Sequence, residues 1–472
     1  MDDVVIIGAG FCGTMVAVNL ILKSNVPLSI SIIDRAEHFN KGIAYNPYSK
    51  NHLLNVPTGK MSAFPNKPDH FLDWVMKTPD FIGKDKSVIS SSFLPRSLYG
   101  DYLKSIWNDT QKIAKSKKIM VKTIDGFVKE LDIQGKKTII RLEDGCDVLA
   151  KACVLATGNQ PPRNQKIKNL DFYKSQKYFQ NPWKIASVTN IASDLPILVI
   201  GNGLTMVDTV FGLLESGFKG QIHAISPNGF NLLPHEHSGA TYTKLQEELA
   251  EPLALSQLVS LANKHIKGAK RHEHTAPSVI DAFRPFAQKL WKNLSVSEKH
   301  LFMARLRHLW NVARHRIPQQ SHDKIRQLQI DGQLSVKSGR IIDLKETEKG
   351  IDVSYFDKQE NKTKALQVFR IINCTGPESD LMKIDGLFKK CISRGMMQQD
   401  ALNLGISADT STFQVKKADG NVHDNLFTLG SNLKGELWES TAVNELKVQA
   451  EQLADVLCKT HTPSCKTELI YD

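Results

Sequence analysis

The sequence predicts an α/β fold built twice over: two parallel-sheet domains, each carrying an antiparallel meander, with a helical insertion in the second. Three observations predict it. Residues 4–23, "VVIIGAGFCGTMVAVNLILK", and 197–217, "ILVIGNGLTMVDTVFGLLESG", share one plan: a short continuous apolar run, a glycine turn and an apolar helix. Each is followed by a second buried run, "PLSISIIDR" (27–35) and "GQIHAIS" (220–226). Each half then closes on a related ending, "VLATG" at 154–158 and "INCTG" at 372–376, so the chain contains an internal repeat.

Composition agrees with a globular chain of more than one domain. It has 472 residues, 41% hydrophobic and 23% charged. No apolar run approaches the ~20 residues of a bilayer span. The start, "MDD", runs straight into a strand with no basic leader, so a cytoplasmic location without membrane association is expected. Seven cysteines are scattered without a C-x-x-C pair, which argues against a disulfide framework, a zinc site and a dithiol redox centre. The net charge of +12 is concentrated: residues 264–326 hold fourteen Lys and Arg against four Asp and Glu, with seven of the fifteen histidines. Such a run is either a set of solvated helical faces or a surface that receives an anionic cofactor or substrate. It lacks a motif for reading nucleic acid, and no nucleic-acid partner is expected.

The elements follow in order. The first strand, turn and helix and the strand ending at Asp34 make a βαβ unit. Residues 46–100, rich in Asn, Pro, Ser and Lys, read as long ordered loops with short helices. Residues 119–157 alternate and turn at Gly135 and Gly145, predicting an antiparallel meander that returns to a buried strand at 152–156. After the second strand–turn–helix, 241–330 has mainly helical period. A second meander then leads to "INCTG", and the last hundred residues hold a buried strand, "NLFTLG", and an amphipathic helix, "LWESTAVNELKVQAEQLADVL". The expected domains are 1–180, then 181–378 with its insertion at about 241–330, and a return to the first domain over 379–472.

The glycine turns carry the chemistry. In "GAGFCG", Gly8 permits the tight turn, Gly10 lets the backbone approach a pyrophosphate, and Gly13 lets helix and strand pack closely. The helix N-terminus supplies free N–H groups and positive dipole. Asp34, twenty-one residues beyond Gly13 at the end of the second strand, is placed to accept from adenosine ribose hydroxyls. These features make the domains Rossmann-like and dinucleotide-binding. The second turn keeps Gly201 and Gly203 but has Met206 at the third glycine position, which costs close packing and not phosphate contact. Where an acid would select NADH and an arginine NADPH, the chain reads "ISPNG" with Ser226, Pro227 and Asn228, so NADH or NADPH stays open and the basic segment is one source of a 2′-phosphate ligand. Two grips in one chain, with Thr157 and Gly158 in the first ending, favour a flavoprotein holding FAD in the first domain over a simple nicotinamide dehydrogenase.

Over nearly its whole length the chain resembles FAD/NAD(P)-binding oxidoreductases related to the bacterial, nitrosuccinate-forming aspartate N-monooxygenases, and more distantly the lysine and ornithine N-hydroxylases. The resemblance lies in "GAGFCGT" (8–14), "GIAYNPYSKNHLLNVPTGKMSAFP" (42–65), "LPRSLYGDYL" (94–103), "GNGLTMVD" (201–208), "VIDAFRPFAQKLW" (279–291), "LWNVARHRIP" (309–318), "INCTGPESD" (372–380) and "LKGELWESTAVNELKVQA" (433–450). It implies that His52, Asn55, Val56 and Met61 lie over the flavin and that Arg96 helps hold FAD. Val128 and Gly430 join the FAD set, and Trp438, Glu439 and Thr441 meet the flavin's pyrimidine end. Thr205 and Asp208 join the nicotinamide set. Two departures stand out: Pro227 and Asn228 replace an arginine pair, and Ser431 stands where the broader flavoprotein class has an aspartate on the ribityl chain.

The expected function is an NAD(P)H-dependent FAD monooxygenase that hydroxylates the nitrogen of a small polar amine or amino acid through a flavin C4a-hydroperoxide. A flavin needs no protein nucleophile, which accounts for the lack of a triad or carboxylate pair. The alternatives are an FAD-dependent reductase or dehydrogenase that inserts no oxygen, and a flavin-binding protein without catalysis. Candidates for a role near the nicotinamide or substrate are Asn55, His235 and Arg316, the last as a carboxylate clamp. In "LLPHEHSG", His235 and His237 stand two apart, a weak metal pattern with no third ligand, and no metal is expected. Oligomeric state is left open.

Overall fold

The computed structural model describes residues 1–191, 195–235, 242–245, 247–249, 251–269 and 275–460. Two compact units divide the chain: the first takes Met1–Asn46, Val56–Asn159 and the chain from Ser379 on, the second Pro47–Asn55 and Gln160–Glu378. The first unit therefore ends at Asn159 and not near 180, because Tyr178 and Phe179 pair with Ile371 and Ile372 of the second sheet.

In the first unit, β1 (Asp2–Ile7) is buried at every residue, as a strand covered on both faces must be. It pairs in parallel with β2 (Ser29–Asp34) and β6 (Asp147–Leu155). Between β1 and β2 runs α1 (Phe11–Lys23), with ten of its thirteen residues buried. The loops that follow contain α2 (His70–Val75) and α3 (Lys86–Ser91), and then α4 (Arg96–Ser116) crosses back to β3 (Met120–Asp125). Here the structure corrects the sequence reading: β3 is not part of the meander but pairs in parallel with β2 from Ser29/Met120 to Asp34/Asp125. A helical crossover of this kind delivers a parallel strand. The antiparallel meander is β4 (Val128–Gln134), β5 (Lys137–Leu142) and the first part of β6. After α12 (Leu387–Ser393), β14 (Gln414–Lys416) and β15 (Val422–Thr428) complete the order β14-β15-β6-β1-β2-β3, and α13 (Val443–Thr460) packs on α1.

The second unit repeats this plan. β8 (Ile197–Ile200), α5 (Leu204–Glu215) and β9 (Ile222–Ser226) form its βαβ entry, with β8 and β9 wholly buried. The insertion is α6 (Leu255–Ala269), α7 (Ala276–Phe283), α8 (Ala287–Asn293), α9 (Val296–Arg305), α10 (Arg307–Arg314) and α11 (Gln319–Ile330). Capping boxes start two of these helices, Thr275 with Ser278 for α7 and Ser295 with Glu298 for α9. The fourteen-residue β10 (Leu334–Thr347) does the work of both β3 and β4: Leu334–Ser338 runs parallel to β9, and Gly339–Thr347 turns into a meander with β11 (Gly350–Asp357) and β12 (Lys362–Val368). β13 (Arg370–Asn373) and β7 (Tyr178–Phe179) finish the order β12-β11-β10-β9-β8-β13-β7. Among the described residues no helix is long and apolar enough to cross a membrane.

Candidate functional site: two glycine turns and a histidine–arginine cluster

The two turns are built alike. Gly8 donates to Ile33 O and Gly201 to Ile225 O, both at 2.8 Å, and Ala156 and Cys374 donate to Ile7 O and Ile200 O at the same length. Gly8 has φ +105° and Gly201 +107°. A Cβ on Gly8 would stand 2.3 Å from Ala156 O, and one on Gly201 2.5 Å from Cys374 O, so only glycine lets each "TG" ending lie this close to its turn. Gly10 and Gly203 are the N-caps of α1 and α5; neither helix has a side-chain cap or an acid in its first turn. Both N-termini are thus left with free amides and an uncompensated dipole, the arrangement that receives a pyrophosphate.

In the first unit Asp34 closes the turn. Its Oδ2 accepts from the Ala9 amide at 2.7 Å, and its Oδ1 from the Arg35 amide at 2.8 Å and from His38 Nδ1 at 3.1 Å. The hydrogen bond to Asp34 raises the pKa of His38 against the opposing effect of partial burial. A Cβ on Gly42, φ +59°, would lie 3.0 Å from Gly10 Cα, so two glycine backbones face each other at the helix N-terminus. Sequence reasoning missed Gly42, although it opens a stretch that carries the resemblance. It also missed Asn432, whose Nδ2 reaches Leu155 O, Thr157 Oγ1 and Thr428 Oγ1 at 3.1–3.3 Å and ties β15 to the "ATG" ending.

The other first-unit candidates lie on these same elements. Thr157 meets Asn432, and Gly158 has φ +68° with open space where a side chain would be. Gly430 donates to Gln449 Oε1 and accepts from Ser440 Oγ, and a Cβ there would stand 3.0 Å from Cys12 Sγ. Burial pushes that thiol up to about 12, away from the thiolate form. Trp438 is buried, Thr441 exposed, and Glu439 has φ +67°, a left-handed conformation that costs a non-glycine residue energy and is concentrated at functional loops. Arg96 is the first residue of α4, while Met61 is buried just after the turn Thr58–Lys60. The Val128 side chain packs in the core formed with Leu131, Ile140 and Leu142, leaving only its backbone for a cofactor. Ser431 Oγ is buried without a hydrogen-bond partner among the described residues. An orphan hydroxyl and a glycine-lined, uncapped helix N-terminus fit a ligand with hydroxyl and pyrophosphate groups, as FAD has.

The second unit gathers its candidates more tightly. Met206 is 3% exposed and packs with Ile197, Val199, Val207 and Ile372, filling space that Gly13 cannot: a Cβ on Gly13 would fall 1.8 Å from Gly8 O. Thr205 is half-buried and Asp208 buried on α5. The segment 47–55 belongs to this unit, so His52 and Asn55 stand here, while Val56 and Met61 stand in the first. His52 is fully buried, its Nε2 2.9 Å from Asp208 O; a carbonyl only accepts, so Nε2 carries the proton. His235 Nε2 likewise donates to Asn55 O at 2.9 Å. The His235 amide donates to Ile317 O and the Ile317 amide to Leu233 O. Asn55, His235 and Arg316 are therefore neighbours through one ring and one short backbone ladder. Arg316 is 7% exposed, and its guanidinium shares the Asp281 carboxylate with Arg314. His237 lies outside the described residues. From the basic segment, His322 and Arg326 line a cleft of about 280 Å³ with Asn202, Phe230 and Gln329. Among the described residues no three His, Cys, Asp or Glu side chains gather as metal ligands.

Comparison with known proteins agrees with the double plan. Residues 5–160 match the FAD-NAD(P)-binding family. The uncharacterized protein YdhS of Escherichia coli (strain K12) is 25% identical over 193 residues, 39% of this chain, and the match spans only 34% of that relative's length. The L-lysine 6-monooxygenase of Pseudomonas syringae is similar in structure with a TM-score of 0.67 at 15% identity, over 98% of this chain and 100% of that one. The reduced ornithine hydroxylase of Pseudomonas aeruginosa gives 0.66 at 14%, over 98% and 99%. At these identities the likeness is one of fold. Residues 5–160 thus carry the likeness to FAD-NAD(P)-binding proteins, and the chain as a whole has the fold of the two-dinucleotide-binding flavoproteins.

Proposed function

We propose that this protein is an FAD-dependent NAD(P)H monooxygenase that hydroxylates the nitrogen of a small polar amine or amino acid. The observation that carries the proposal is the second uncapped glycine turn, Gly201 to Gly203, which repeats the two backbone bonds that close the first. A flavoprotein with a second dinucleotide grip is one that is reduced by a nicotinamide. The chemistry supplied by bound FAD is acceptance of hydride and, once reduced, activation of oxygen.

The chain's own residues bind and orient. Gly8, Gly10 and Gly13 present α1 to a pyrophosphate, and Asp34 takes ribose hydroxyls. Met61, Arg96, Val128, Thr157, Gly158, Gly430, Trp438, Glu439 and Thr441 complete the FAD set. Gly201, Gly203, Thr205 and Asp208 serve the nicotinamide nucleotide. In this reading His52 holds the 47–55 segment on α5, and Asn55 and His235 position a substrate whose carboxylate is met by Arg316, a guanidinium oriented by Asp281. Disulfide reduction is disfavoured by the sequence, which has no C-x-x-C, and burial also pushes Cys374 up to about 12.

A turnover screen of amines and amino acids tests the proposal, scored by NADPH and NADH oxidation together with detection of hydroxylated product. Coupled oxidation and hydroxylation for one class is the expected result. Nicotinamide oxidation without hydroxylated product across the screen would identify a reductase, and no oxidation of either nicotinamide a flavin-binding protein.

A further inference from the structure

Gly8 and Gly201 bond to Ile33 O and Ile225 O in the same way, so the residues that follow, Asp34 and Ser226, are structural equivalents. The first carries the acid that accepts ribose hydroxyls; the second has none, and no acid follows in "SPNG". A positive charge reaches this loop from elsewhere in the fold. The carbonyl of Pro227 accepts from Lys358 Nζ at 2.6 Å and from Ser338 Oγ at 3.2 Å. The Lys358 amide donates to Ser338 O at 2.9 Å, fixing the lysine backbone to β10. On the loop side, the Gly229 amide donates to Ser226 Oγ at 3.0 Å, and Gly229, φ +62°, lies so close to Ser338 that a Cβ there would stand 3.0 Å from it. The turn after β9 and the end of β11 are thus locked together with an ammonium between them.

Lys358 is exposed and makes no ion pair among the described residues. The acids nearest it in sequence are taken: Asp357 by Lys364 at 3.2 Å, and Glu360 by Lys362 at 2.8 Å and by Lys364. An ammonium has three donors, and the Pro227 carbonyl uses one. We propose that Lys358, held over Pro227, reads a 2′-phosphate on the adenosine ribose of the nicotinamide nucleotide, so that this chain selects NADPH over NADH without the arginine its turn lacks. The inference rests on the second turn being the nicotinamide grip.

Calorimetric titration of the FAD-loaded protein with ADP-ribose and with 2′-phospho-ADP-ribose tests it at low salt. The native protein should bind the phosphorylated ligand at least about tenfold more tightly, in line with one phosphate–lysine contact. Lys358→Met should remove that preference and leave ADP-ribose affinity unchanged; Lys358→Arg should retain it. Equal binding of both ligands by the native protein, or a preference that survives Lys358→Met and disappears in Arg326→Met, overturns the assignment alone. Binding of neither ligand overturns it together with the reading of the second turn.

Discussion

Gly203→Ala separates the fold of the second glycine turn from its function. Gly203 has φ −87° and is exposed, and a Cβ there would meet nothing within 4 Å. The folded state has room for the methyl group. Replacing glycine with alanine at an N-cap costs some tenths of a kcal/mol, and restricting the unfolded chain returns about 0.4–1 kcal/mol, so stability should stay within about 0.5 kcal/mol of native. That corresponds to a Tm shift of about 2 °C or less. The methyl group nevertheless stands where a pyrophosphate must approach the first amides of α5, and affinity for ADP-ribose should fall at least tenfold, about 1.4 kcal/mol. Gly201→Ala is the contrast: at φ +107°, 2.5 Å from Cys374 O, it should lower stability as well as binding. Calorimetry with ADP-ribose, thermal denaturation and flavin absorbance read the three quantities. Native affinity in Gly203→Ala would refute the nucleotide grip; a large drop in its Tm would refute the packing argument.

Three further outcomes follow from the same geometry. Gly13→Ala places a Cβ 1.8 Å from the Gly8 carbonyl and should cost about 3 kcal/mol or more, with loss of FAD on purification, measured by urea denaturation and flavin content. His38→Gln removes a group whose folded pKa Asp34 raises above the ordinary 6.5. The stabilisation is complete below 6.5 and is lost as pH rises through the raised value, so native and variant stabilities should differ by about 0.5–1 kcal/mol at pH 5.5 and draw together by pH 8–9. A difference that grows toward alkaline pH would contradict this sign. Asp281→Asn leaves Arg314 and Arg316, both about nine-tenths buried, facing a neutral side chain, and should cost about 2–3 kcal/mol, the lower part of the range for a broken buried pair because Asp281 is 36% exposed. An unchanged urea midpoint would show that the arginines are held by other contacts.

What could be read from the sequence was what is local. A buried strand, a glycine turn and an apolar helix need no knowledge of distant partners, and both copies lie where the pattern puts them. Tertiary choices were not legible. Met120–Asp125 alternates like a meander strand, and only the α4 crossover sends it to β2 in parallel. Residues 47–55 read as loop, and nothing in "PYSKNHLLN" announces that His52 will bond the Asp208 carbonyl. Asn432 earns its role by reaching Leu155 and Thr157, nearly three hundred residues away. The backbone linkage of Asn55, His235 and the segment holding Arg316 depends on one ring–carbonyl bond and the pairing of Pro234 with Ile317, neither of which has a sequence period.

The two turns differ in what must be glycine. In the first, Gly13 sits directly against Gly8, so the helix is anchored to the turn by backbone contact and the fold itself requires glycine at both positions. In the second, Met206 drives its side chain into the core between β8, β13 and α5, and anchorage passes from backbone to hydrophobic packing. Only Gly201, for its conformation, and Gly203, for access, then remain constrained. A degenerate third position is therefore what a functional grip should tolerate when core packing takes over the work of the missing glycine. Degeneracy at the second position, where nothing in the fold demands glycine, would have been evidence against nucleotide binding.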